Sequence, residues 1–338
     1  MPKRVLVVGG AGYVGSHAAK AIAQAGYVPV VYDNLINGHR DSIKWGPFEH
    51  GDIRDGSRLD AVLRAHRPSC VMHFAAYAYV GESVSDPSKY YSNNVAGTIS
   101  LLDAMRRNGV DRLVFSSTCA TYGIPTRLPI TEDTPQRPIN PYGQTKLIIE
   151  RMLADYQRAY GLKWASMRYF NAAGADPDGE LGERHDPETH AIPLAIAAAL
   201  AQGQRFKIFG TDYDTPDGSA VRDYVHVQDL AVAHVAAIPY LDRGNDSGAF
   251  NLGTGKGTSV LELLKAVEGA VGLPVPADFS PRRAGDPPVL YAAAGKARQA
   301  LGWSPRFVNI EDIVDTAAAW YKQQPALPRR FFPPHFGP

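Results

Sequence analysis

The fold is decided near the N-terminus, where the chain reads Val5-Leu6-Val7-Val8-Gly9-Gly10-Ala11-Gly12-Tyr13-Val14-Gly15. A short apolar run leads into a glycine-rich turn, and a helical pattern follows at once. The glycines satisfy both the GxGxxG and the GxxGxxG spacing, which allows a tight turn and lets the backbone approach a pyrophosphate. Such a turn between a strand and a helix predicts a dinucleotide-binding fold, with the phosphates at the helix N-terminus. We expect the contacts to come from Gly9, Gly12, Tyr13, Val14 and Gly15.

The rest of the first half repeats this alternation of strands and helices. Apolar runs predict strands at Arg4–Val8, Val28–Tyr32, Cys70–Phe74, Arg112–Ser117 and Lys163–Arg168. Helical periodicity appears at Gly15–Ala25, Asp60–Ala65, Asn94–Arg107 and Tyr142–Tyr160. This alternation is typical of the α/β class, and it predicts a doubly wound parallel sheet of the Rossmann type with helices on both faces.

The composition of the sequence changes after residue 171, where Gly, Pro and Asp become frequent. We expect a smaller C-terminal α/β domain for substrate over residues 172–330, following a dinucleotide-binding domain over residues 1–171. A strand and an Ala-rich helix within 223–252 predict that this part of the chain rejoins the large sheet. Residues 331–338 are expected to form an irregular tail.

Composition narrows the classes of partner. The 338 residues carry 35 Lys and Arg against 34 Asp and Glu, without a run of like charge, so neither a nucleic acid nor a membrane is expected as partner. No N-terminal targeting pattern or long apolar stretch is apparent, which predicts a cytoplasmic protein. Cys70 and Cys119 have no partner at metal-ligand spacing, and no metal site is predicted.

The second predicted strand ends at Tyr32-Asp33-Asn34, at the spacing where dinucleotide-binding folds place an acidic residue. A carboxylate there can accept both ribose hydroxyls of an adenosine and would repel a 2′-phosphate. Asp33, with Asn34 beside it, therefore favours NAD over NADP. Asp52 and Ile53 follow the next short strand, where they are expected to meet the adenine.

A catalytic pair is predicted at the start of the helix that Asn140 and Pro141 introduce. Tyr142 and Lys146 are four residues apart and so share a helix face. The pKa of a tyrosine, normally near 10, must fall by about three units before the side chain can act as a base near neutrality. This fall corresponds to about 4 kcal/mol. One ammonium at about 4 Å supplies roughly that much at an effective dielectric constant of about 20, and oxidised nicotinamide adds a second positive charge.

Hydroxyl groups end the fourth predicted long strand, at the sheet edge where doubly wound folds bind their ligands. The run reads Phe115-Ser116-Ser117-Thr118-Cys119-Ala120. Thr118 is our candidate for the hydroxyl that meets the reacting oxygen of the substrate, and Ser116 is a candidate cofactor contact.

With these motifs in place, the chain resembles the extended short-chain dehydrogenase/reductase family and, within it, the nucleotide-sugar epimerases that act on UDP-glucose. The resemblance rests on long motifs spread over nearly the whole chain: Val7-Val8-Gly9-Gly10, His73-Phe74-Ala75-Ala76, Val80-Gly81-Glu82-Ser83, Arg168-Tyr169-Phe170-Asn171, Ile208-Phe209-Gly210-Thr211-Asp212-Tyr213 and Val221-Arg222-Asp223-Tyr224-Val225-His226-Val227. It implies reversible inversion at C4 of UDP-glucose and UDP-galactose with bound NAD. It also implies a homodimer, paired through the helices at Ser92–Arg107 and Tyr142–Tyr160.

The resemblance implies further site residues. Asn171 and Arg222 would hold the nucleotide diphosphate, Arg283 and Asp286 would grip phosphate and ribose, and Phe209 would lie by the uracil. The remaining implied contacts are Phe74, Ala75, Ala76, Asn93 and Tyr169 for the cofactor, and His190 for the substrate.

One further position bears on the sugar itself. In related epimerases a residue shortly after the Arg-Gly-Asp stretch walls the pocket beside C2 of the sugar. Leu290 is the candidate here, or Tyr291 if the register differs by one residue. Either side chain is bulky and would disfavour N-acetylated sugars.

The chain departs from the family pattern near the nicotinamide. Many of these epimerases carry a Lys shortly after the His-Phe-Ala segment, whereas Tyr77-Ala78-Tyr79 contains none.

Other activities remain as alternatives at this stage. Dehydratases and decarboxylases that resemble the chain place an acidic residue after the strand-end hydroxyls, where this chain has Cys119 and Ala120, so epimerisation is favoured. A pentose 4-epimerase acting on UDP-xylose and UDP-arabinose stays open. So do a net dehydrogenase and a non-catalytic NAD-binding regulator, although a regulator would usually lack Tyr or Lys of the pair.

Overall fold

The structure is a computed structural model that describes residues 2–283 and 287–324. Its strands, in chain order, are β1 (Arg4–Val8), β2 (Val28–Asp33), β3 (Phe48–His50), β4 (Cys70–His73), β5 (Arg112–Thr118), β6 (Lys163–Tyr169), β7 (Asn171–Ala173), β8 (Phe206–Phe209), β9 (Val221–Arg222), β10 (Tyr224–His226), β11 (Gly248–Leu252), β12 (Thr258–Ser259), β13 (Ala277–Ser280) and β14 (Val289–Leu290). Its α-helices are α1 (Tyr13–Gln24), α2 (Gly56–His66), α3 (Val80–Ser85), α4 (Pro87–Tyr90), α5 (Gly97–Arg107), α6 (Pro141–Tyr160), α7 (Ala191–Ala199), α8 (Val227–Asp242), α9 (Val260–Val271), α10 (Gly295–Leu301) and α11 (Ile310–Gln323).

The large sheet has the order β11-β6-β5-β4-β1-β2-β3, and every pair in it is parallel. Side chains of β1 alternate between two apolar clusters, with Leu6 and Val8 in one and Val5 and Val7 in the other. Helices α2, α5 and α6 cover the first face, and α8 and α10 cover the second. A parallel sheet buried on both faces is the doubly wound architecture, so the fold class predicted from the sequence is confirmed.

The C-terminal part has a core of its own, built by α7, α9 and α11 around Leu263, Val267 and Ile313. Three short sheets flank it: β8 pairs with β13, β7 pairs with β10, and β9 lies between β12 and β14. Strand β11 lies beside β6 in the large sheet. The domain division at residue 171 stays a prediction. Asp286 and residues 325–338, which include the predicted tail, lie outside the described residues.

The long helix α6 begins as the sequence predicts. The Asn140 side chain accepts a hydrogen bond from the Gly143 N–H at 2.8 Å, and Pro141 occupies the first turn. Gly161 ends the helix in the left-handed region, at φ +74°. These two caps fix where Tyr142 and Lys146 lie.

One helix differs from its prediction. The segment predicted as a single helix over Asn94–Arg107 begins with a π-helical turn at Tyr91–Ala96 before α5 starts. The Asn94 side chain bonds both backbone groups of Tyr77: its amide donates to the carbonyl at 3.0 Å, and its oxygen accepts from the N–H at 2.9 Å. These long-range bonds, which helical periodicity does not reveal, hold the wider turn.

Among the described residues, none of the helices combines the length and apolar character that crossing a bilayer requires.

A buried ion pair ties α6 to β6. The Arg168 Nε atom donates to Glu150 Oε1 at 2.9 Å, and both side chains are less than a tenth exposed. Glu150 also accepts hydrogen bonds from the Ser117 hydroxyl at 2.6 Å and the Gln136 amide at 3.0 Å. Removing the carboxylate would therefore leave a buried guanidinium with only the Tyr122 hydroxyl, 2.8 Å away, as acceptor.

We expect Glu150→Ala to lower the free energy of unfolding by about 3 to 5 kcal/mol, because it leaves the buried Arg168 charge without its ion-pair partner. Urea denaturation measures the change. The control is Asp155→Ala on the same helix, whose partner Arg158 is largely exposed, and its cost should stay within about 1 kcal/mol. Equal losses of unfolding free energy in the two variants would show that the buried ion pair contributes no more to stability than the exposed one.

Candidate active site

The predicted site residues collect at the carboxyl edge of the large sheet. Gly9 follows β1, Asp33 ends β2, Phe74 follows β4, Thr118 ends β5 and Tyr169 ends β6. In a parallel sheet these ends share one edge, so residues far apart in sequence face one cleft.

The glycine turn is sterically closed at Gly9, Gly10 and Gly15, and a Cβ on Gly10 would lie 2.9 Å from the Val7 carbonyl oxygen. Gly9 has φ +81°, and a Cβ there would lie 2.5 Å from the Ala75 nitrogen. A Cβ on Gly15 would lie 2.1 Å from the Gly9 carbonyl oxygen. Gly12 differs, because its Cβ would meet the Gly9 carbonyl oxygen at 3.5 Å and nothing nearer in the chain. The side of the turn at Gly12 is therefore open to a ligand.

Helix α1 presents an uncapped N-terminus to this open side. Gly12 occupies the N-cap position without a side-chain hydrogen bond, and the first turn carries no acidic residue. The N–H groups of Tyr13, Val14 and Gly15 precede the first intrahelical bonds and suit an anion. The Tyr13 hydroxyl donates to the Gly174 carbonyl at 2.6 Å and so connects the turn to the C-terminal part.

The Asp33 carboxylate is held by two backbone N–H groups at the end of β2. It accepts from Ala11 N at 3.0 Å and from Leu35 N at 2.8 Å. Burial raises the pKa of Asp33, and these two hydrogen bonds oppose the rise. A fixed carboxylate at this edge matches the predicted ribose contact.

A cleft opens between the glycine turn and Asp33. Its lining includes nine of the predicted cofactor contacts: Gly9, Gly12, Asp33, Asn34, Ile53, Phe74, Ala75, Ala76 and Asn93. It also includes the loop Ile36–Gly38 and Tyr77, none of which was predicted as a cofactor contact. An Asn-Gly pair such as Asn37-Gly38 is a sequence signal for a turn, but only the fold shows that this turn closes over Asp33, because a Cβ on Gly38 would lie 2.8 Å from the Asp33 Oδ1 atom.

The carboxylate of Asp52, another predicted cofactor residue, is hydrogen-bonded by neighbouring side chains of the protein. It accepts from the Arg54 guanidinium at 2.8 Å and from the Asn34 amide at 3.1 Å. These contacts, the Arg54 bond first, lower the pKa of Asp52 well below its usual range despite partial burial. Its side chain therefore fixes the neighbouring loops, and its carbonyl oxygen receives the Tyr32 hydroxyl at 2.7 Å.

The predicted catalytic side chains lie together. The Lys146 ammonium donates to the Ser116 carbonyl at 2.7 Å and lies 5.9 Å from the centre of the Tyr142 ring. The Ser116 hydroxyl and the Tyr169 hydroxyl are 2.7 Å apart. Thr118, two residues beyond Ser116 on β5, lies close enough to the Tyr142 side chain to lower the pKa of the phenol in part. Lys146 and Thr118 thus lie on either side of the predicted base in the sequence and close to it in the fold.

Burial perturbs the two titrating groups in opposite senses. It lowers the pKa of Lys146 to about 7, although the Glu150 charge raises it in part. Burial raises the pKa of Tyr142, although the hydrogen bond with Thr118 lowers it in part. Both shifts favour the uncharged forms, as expected where water is excluded and no ligand supplies charge. Perturbed groups of this kind, gathered at a cleft, are typical of an active site.

The residues predicted for the nucleotide part of the substrate lie on the C-terminal segments. The Arg283 guanidinium lies 3.8 Å from the centre of the Phe209 ring, so these two predicted contacts stack on one another. Arg222 on β9 pairs in register with Leu290 on β14. Asn171 begins β7 next to the end of β6.

Leu290, the predicted sugar-pocket residue, packs, together with Cys119, against the apolar cluster formed by Tyr122, Ile130, Phe170 and Ala292. Cys119 follows Thr118 directly in sequence, so this cluster connects Leu290 to the end of β5. His190 lies elsewhere, at the start of α7, where its Nδ1 atom is 2.6 Å from Glu183 Oε1.

Comparison with known proteins assigns this arrangement to a family. Residues 5–253 match the model of the NAD dependent epimerase/dehydratase family. The chain belongs to this family. It is 56% identical over 317 residues, 94% of this chain and 97% of the relative, to a protein described as UDP-glucose 4-epimerase from Rhizobium leguminosarum bv. trifolii.

Solved structures agree. The UDP-glucose 4-epimerase from Brucella ovis in complex with NAD is 55% identical and superposes with a TM-score of 0.92 over 94% of this chain and 98% of its own. The Bifidobacterium longum enzyme in complex with NAD+ and UDP is 38% identical, with a TM-score of 0.90 over 96% and 99% of the two chains. The resemblance inferred from the sequence and the choice of NAD as cofactor are confirmed.

Because Gly12 alone among the glycines of the turn has room for a side chain, its substitution tests whether NAD binds in this cleft. Gly12→Ala should fold normally, because its Cβ finds no clash within the chain. The same methyl group would occupy the open side, so we expect NAD binding to weaken roughly tenfold or more, a loss of about 1.4 kcal/mol. Isothermal titration of cofactor-stripped protein measures the affinity. Gly269→Ala on α9, which meets no neighbouring atom, is the control. Unchanged NAD affinity in Gly12→Ala would place the phosphates elsewhere.

Proposed function

We propose that this chain inverts C4 of UDP-galactose and UDP-glucose reversibly, using NAD that remains bound. The observation that carries the proposal is the convergence of Tyr142, Lys146 and Thr118 beside the NAD cleft. The relatives reported above, described as UDP-glucose 4-epimerases at up to 56% identity, support it. When bound, NAD accepts the hydrogen at C4 of the sugar as hydride and returns it to the opposite face.

The cleft fits NAD on two counts. The open side of the glycine turn and the uncapped N-terminus of α1 suit the pyrophosphate, and the anchored Asp33 carboxylate suits the adenosine ribose. We assign cofactor contacts to Gly9, Gly12, Tyr13, Val14, Gly15, Asp33, Asn34, Asp52, Ile53, Phe74, Ala75, Ala76, Asn93, Ser116, Tyr142, Lys146 and Tyr169.

Tyr142 is proposed as the base that removes the proton of the 4-hydroxyl group. Its neighbour Lys146 lies 5.9 Å from the ring centre, where one positive charge at an effective dielectric constant of about 20 lowers the pKa by roughly two pH units. Because burial raises the pKa of Tyr142, Lys146 alone does not bring it to neutrality. The positive charge of oxidised nicotinamide must supply the rest, so the base becomes active only when the oxidised cofactor is present.

Thr118 is proposed to orient the reacting oxygen. Its side chain lies close enough to Tyr142 to affect the pKa of the phenol, which supports a position from which both hydroxyls reach one sugar oxygen. Lys146 acts on Tyr142 through charge, and the Ser116 carbonyl holds its ammonium in place at 2.7 Å. No acidic side chain occupies the position after Thr118, and a C4 inversion needs none.

The remaining roles concern the substrate. We assign UDP-sugar contacts to Thr118, Tyr142, Asn171, His190, Phe209, Arg222, Arg283, Asp286 and Leu290. The arginines suit a diphosphate because a planar guanidinium donates two parallel hydrogen bonds. The ring of Phe209, already stacked with Arg283, offers a flat apolar face to the uracil.

We also propose a homodimer that pairs through the π-helical turn, α5 and α6. Large apolar side chains are exposed on these elements: Tyr91 at 39%, Ile99 at 41% and Tyr160 at 58%. Such side chains favour burial against a second copy. The molar mass in solution tests this, and the cytoplasmic location expected from the sequence stays a prediction.

Removing the phenol hydroxyl tests the base directly. We expect Tyr142→Phe to reduce kcat by two orders of magnitude or more, because general base catalysis contributes roughly 10²- to 10⁴-fold. The fold and the bound NAD content should persist. Tyr156→Phe on the same helix, which loses a hydrogen bond to Asp103 and lies away from the cleft, is the control. Activity of Tyr142→Phe within a few-fold of the parent would remove Tyr142 from the mechanism.

Leu290 makes the sugar preference testable. We expect UDP-galactose to turn over at least roughly tenfold faster than UDP-N-acetylgalactosamine, because forcing an acetamido group against Leu290 costs about 1 to 3 kcal/mol. Leu290→Ala should narrow the gap, whereas Val289→Ala, whose side chain lies on the other face of the strand, should not. UDP-arabinose serves as a third substrate, and its preferred turnover would favour a pentose epimerase. Equal rates on both hexoses in the parent would show that Leu290 is no barrier.

A further inference from the structure

The loop between β7 and α7 brings two imidazoles and two carboxylates together. Glu183, His185, Glu188 and His190, here called the Glu–His cluster, lie within eight consecutive residues. One potential ligand atom from each lies within 4.8 Å of the others. The cluster lies outside the catalytic group of Tyr142, and this inference does not depend on the proposed activity.

The separations within the cluster are close to those between the ligands of one metal ion. The Glu183 Oε1 atom is 3.0 Å from His185 Nδ1 and 2.6 Å from His190 Nδ1. The Glu188 oxygens are 3.2 Å from His190 Nδ1 and 3.8 Å from His185 Nδ1. A tetrahedral ion with bonds of about 2.0 to 2.1 Å has ligand atoms roughly 3.3 to 3.4 Å apart. The observed separations lie on both sides of this value, and the two from Glu188 involve different carboxylate oxygens, so the side chains would shift to place one oxygen or nitrogen each around an ion.

A positive charge would stabilise the two buried carboxylates of the cluster. The Glu183 and Glu188 side chains are 4% and 10% exposed, and two carboxylates this close repel one another when both are ionised. Among the residues that the structure describes, no Lys or Arg forms an ion pair with either carboxylate. Among the described residues, the basic groups that the two carboxylates contact are the imidazoles of His185 and His190.

A second acidic group in the chain shows the contrast. Asp176, Asp178 and Glu180 also lie close enough to share a cation, but the Lys20 ammonium is 2.7 Å from a carboxylate oxygen of each. The chain itself therefore supplies the cation at that group. No such ammonium enters the Glu–His cluster within the described residues.

The ligands are held in place by neighbouring groups. Glu188 Oε1 accepts from the N–H groups of Thr189 at 2.7 Å and His190 at 2.9 Å. The Glu183 carbonyl accepts from the Tyr321 hydroxyl at 2.9 Å. The His185 ring packs edge-on against Tyr13, with ring centres 6.3 Å apart. Outer contacts of this kind orient ligands before a metal arrives.

From these observations we propose that the Glu–His cluster binds one divalent transition-metal ion, of which Zn²⁺ is the representative. Two imidazole nitrogens with two carboxylate oxygens suit Zn²⁺ or Co²⁺ better than Mg²⁺ or Ca²⁺, which take oxygen ligands. Both imidazoles present Nδ1 to the cluster, so His190 keeps Nε2 for the substrate contact assigned above. The ion would hold the loop against Tyr13 of the cofactor turn. This inference departs from the sequence-based expectation that the chain has no metal site.

A proton is the competing occupant. Burial alone would lower the pKa of His190, but the Glu183 carboxylate outweighs burial and raises the pKa well above its usual value. A protonated His190 between two carboxylates would account for the same separations without a metal. Direct metal binding distinguishes the two occupants.

The test uses the full-length protein after dialysis against a chelator. Titration with Zn²⁺ followed by calorimetry should show one site per chain, and Co²⁺ should produce the intense visible absorption of a tetrahedral cobalt centre. Binding of Zn²⁺ should also raise Tm, because the ion binds the folded chain alone. Absence of heat and of cobalt absorption at millimolar metal would overturn the proposal and leave a protonated network.

Matched variants locate the site. His185→Gln should weaken Zn²⁺ binding at least roughly tenfold and remove the cobalt absorption. Glu183→Gln serves if His185→Gln is unstable without metal. His66→Gln is the control, because it removes another imidazole that lies 2.6 Å from a glutamate, Glu49, far from the cluster in sequence. Equal Zn²⁺ affinity in His185→Gln and the parent would also overturn the proposal, because the ion would then bind elsewhere.

Discussion

The parallel pairing of β4, β5 and β6 is the constraint on which the site depends. In this register Thr118 at the end of β5 lies opposite Tyr169 at the end of β6, and Ser116 lies two residues before Thr118. The hydroxyl groups of all three residues therefore reach the same edge. Both faces of the sheet are covered by helices, and only the edge remains open to a ligand. The glycine turn after β1 joins this edge because Gly9 allows the backbone to approach Ala75 more closely than any Cβ would permit.

Electrostatics then decides when the site can act. Burial disfavours charge on both Tyr142 and Lys146, because it raises the pKa of the phenol and lowers that of the amine. The pair is coupled, because a tyrosinate would raise the pKa of the lysine and an ammonium would lower the pKa of the tyrosine. A positively charged cofactor shifts this balance toward tyrosinate. A base that depends on the oxidised cofactor is suited to a reaction in which the cofactor is reduced and then reoxidised within one cycle.

The sequence predicted those features that local spacing encodes. The glycine turn, Asp33 at the end of β2, and Tyr142 four residues before Lys146 are patterns with one structural meaning, and the geometry brings them together as expected. Other features depend on contacts between distant segments. The π-helical turn is held by bonds between Asn94 and Tyr77, which helical periodicity does not reveal. The Glu–His cluster lies within eight consecutive residues, but its spacing alone does not show that the four side chains face one another.

The central claim is that hydrogen leaves C4 and returns to the same carbon by way of a bound cofactor. UDP-galactose labelled with deuterium at C4 tests this most directly, by NMR or mass analysis of the UDP-glucose formed in ordinary water. The account predicts that the product keeps its deuterium at C4, because a hydride held on bound NAD does not exchange with solvent. Replacement of the label by solvent hydrogen would contradict the account, since inversion would then proceed through loss of a proton from carbon.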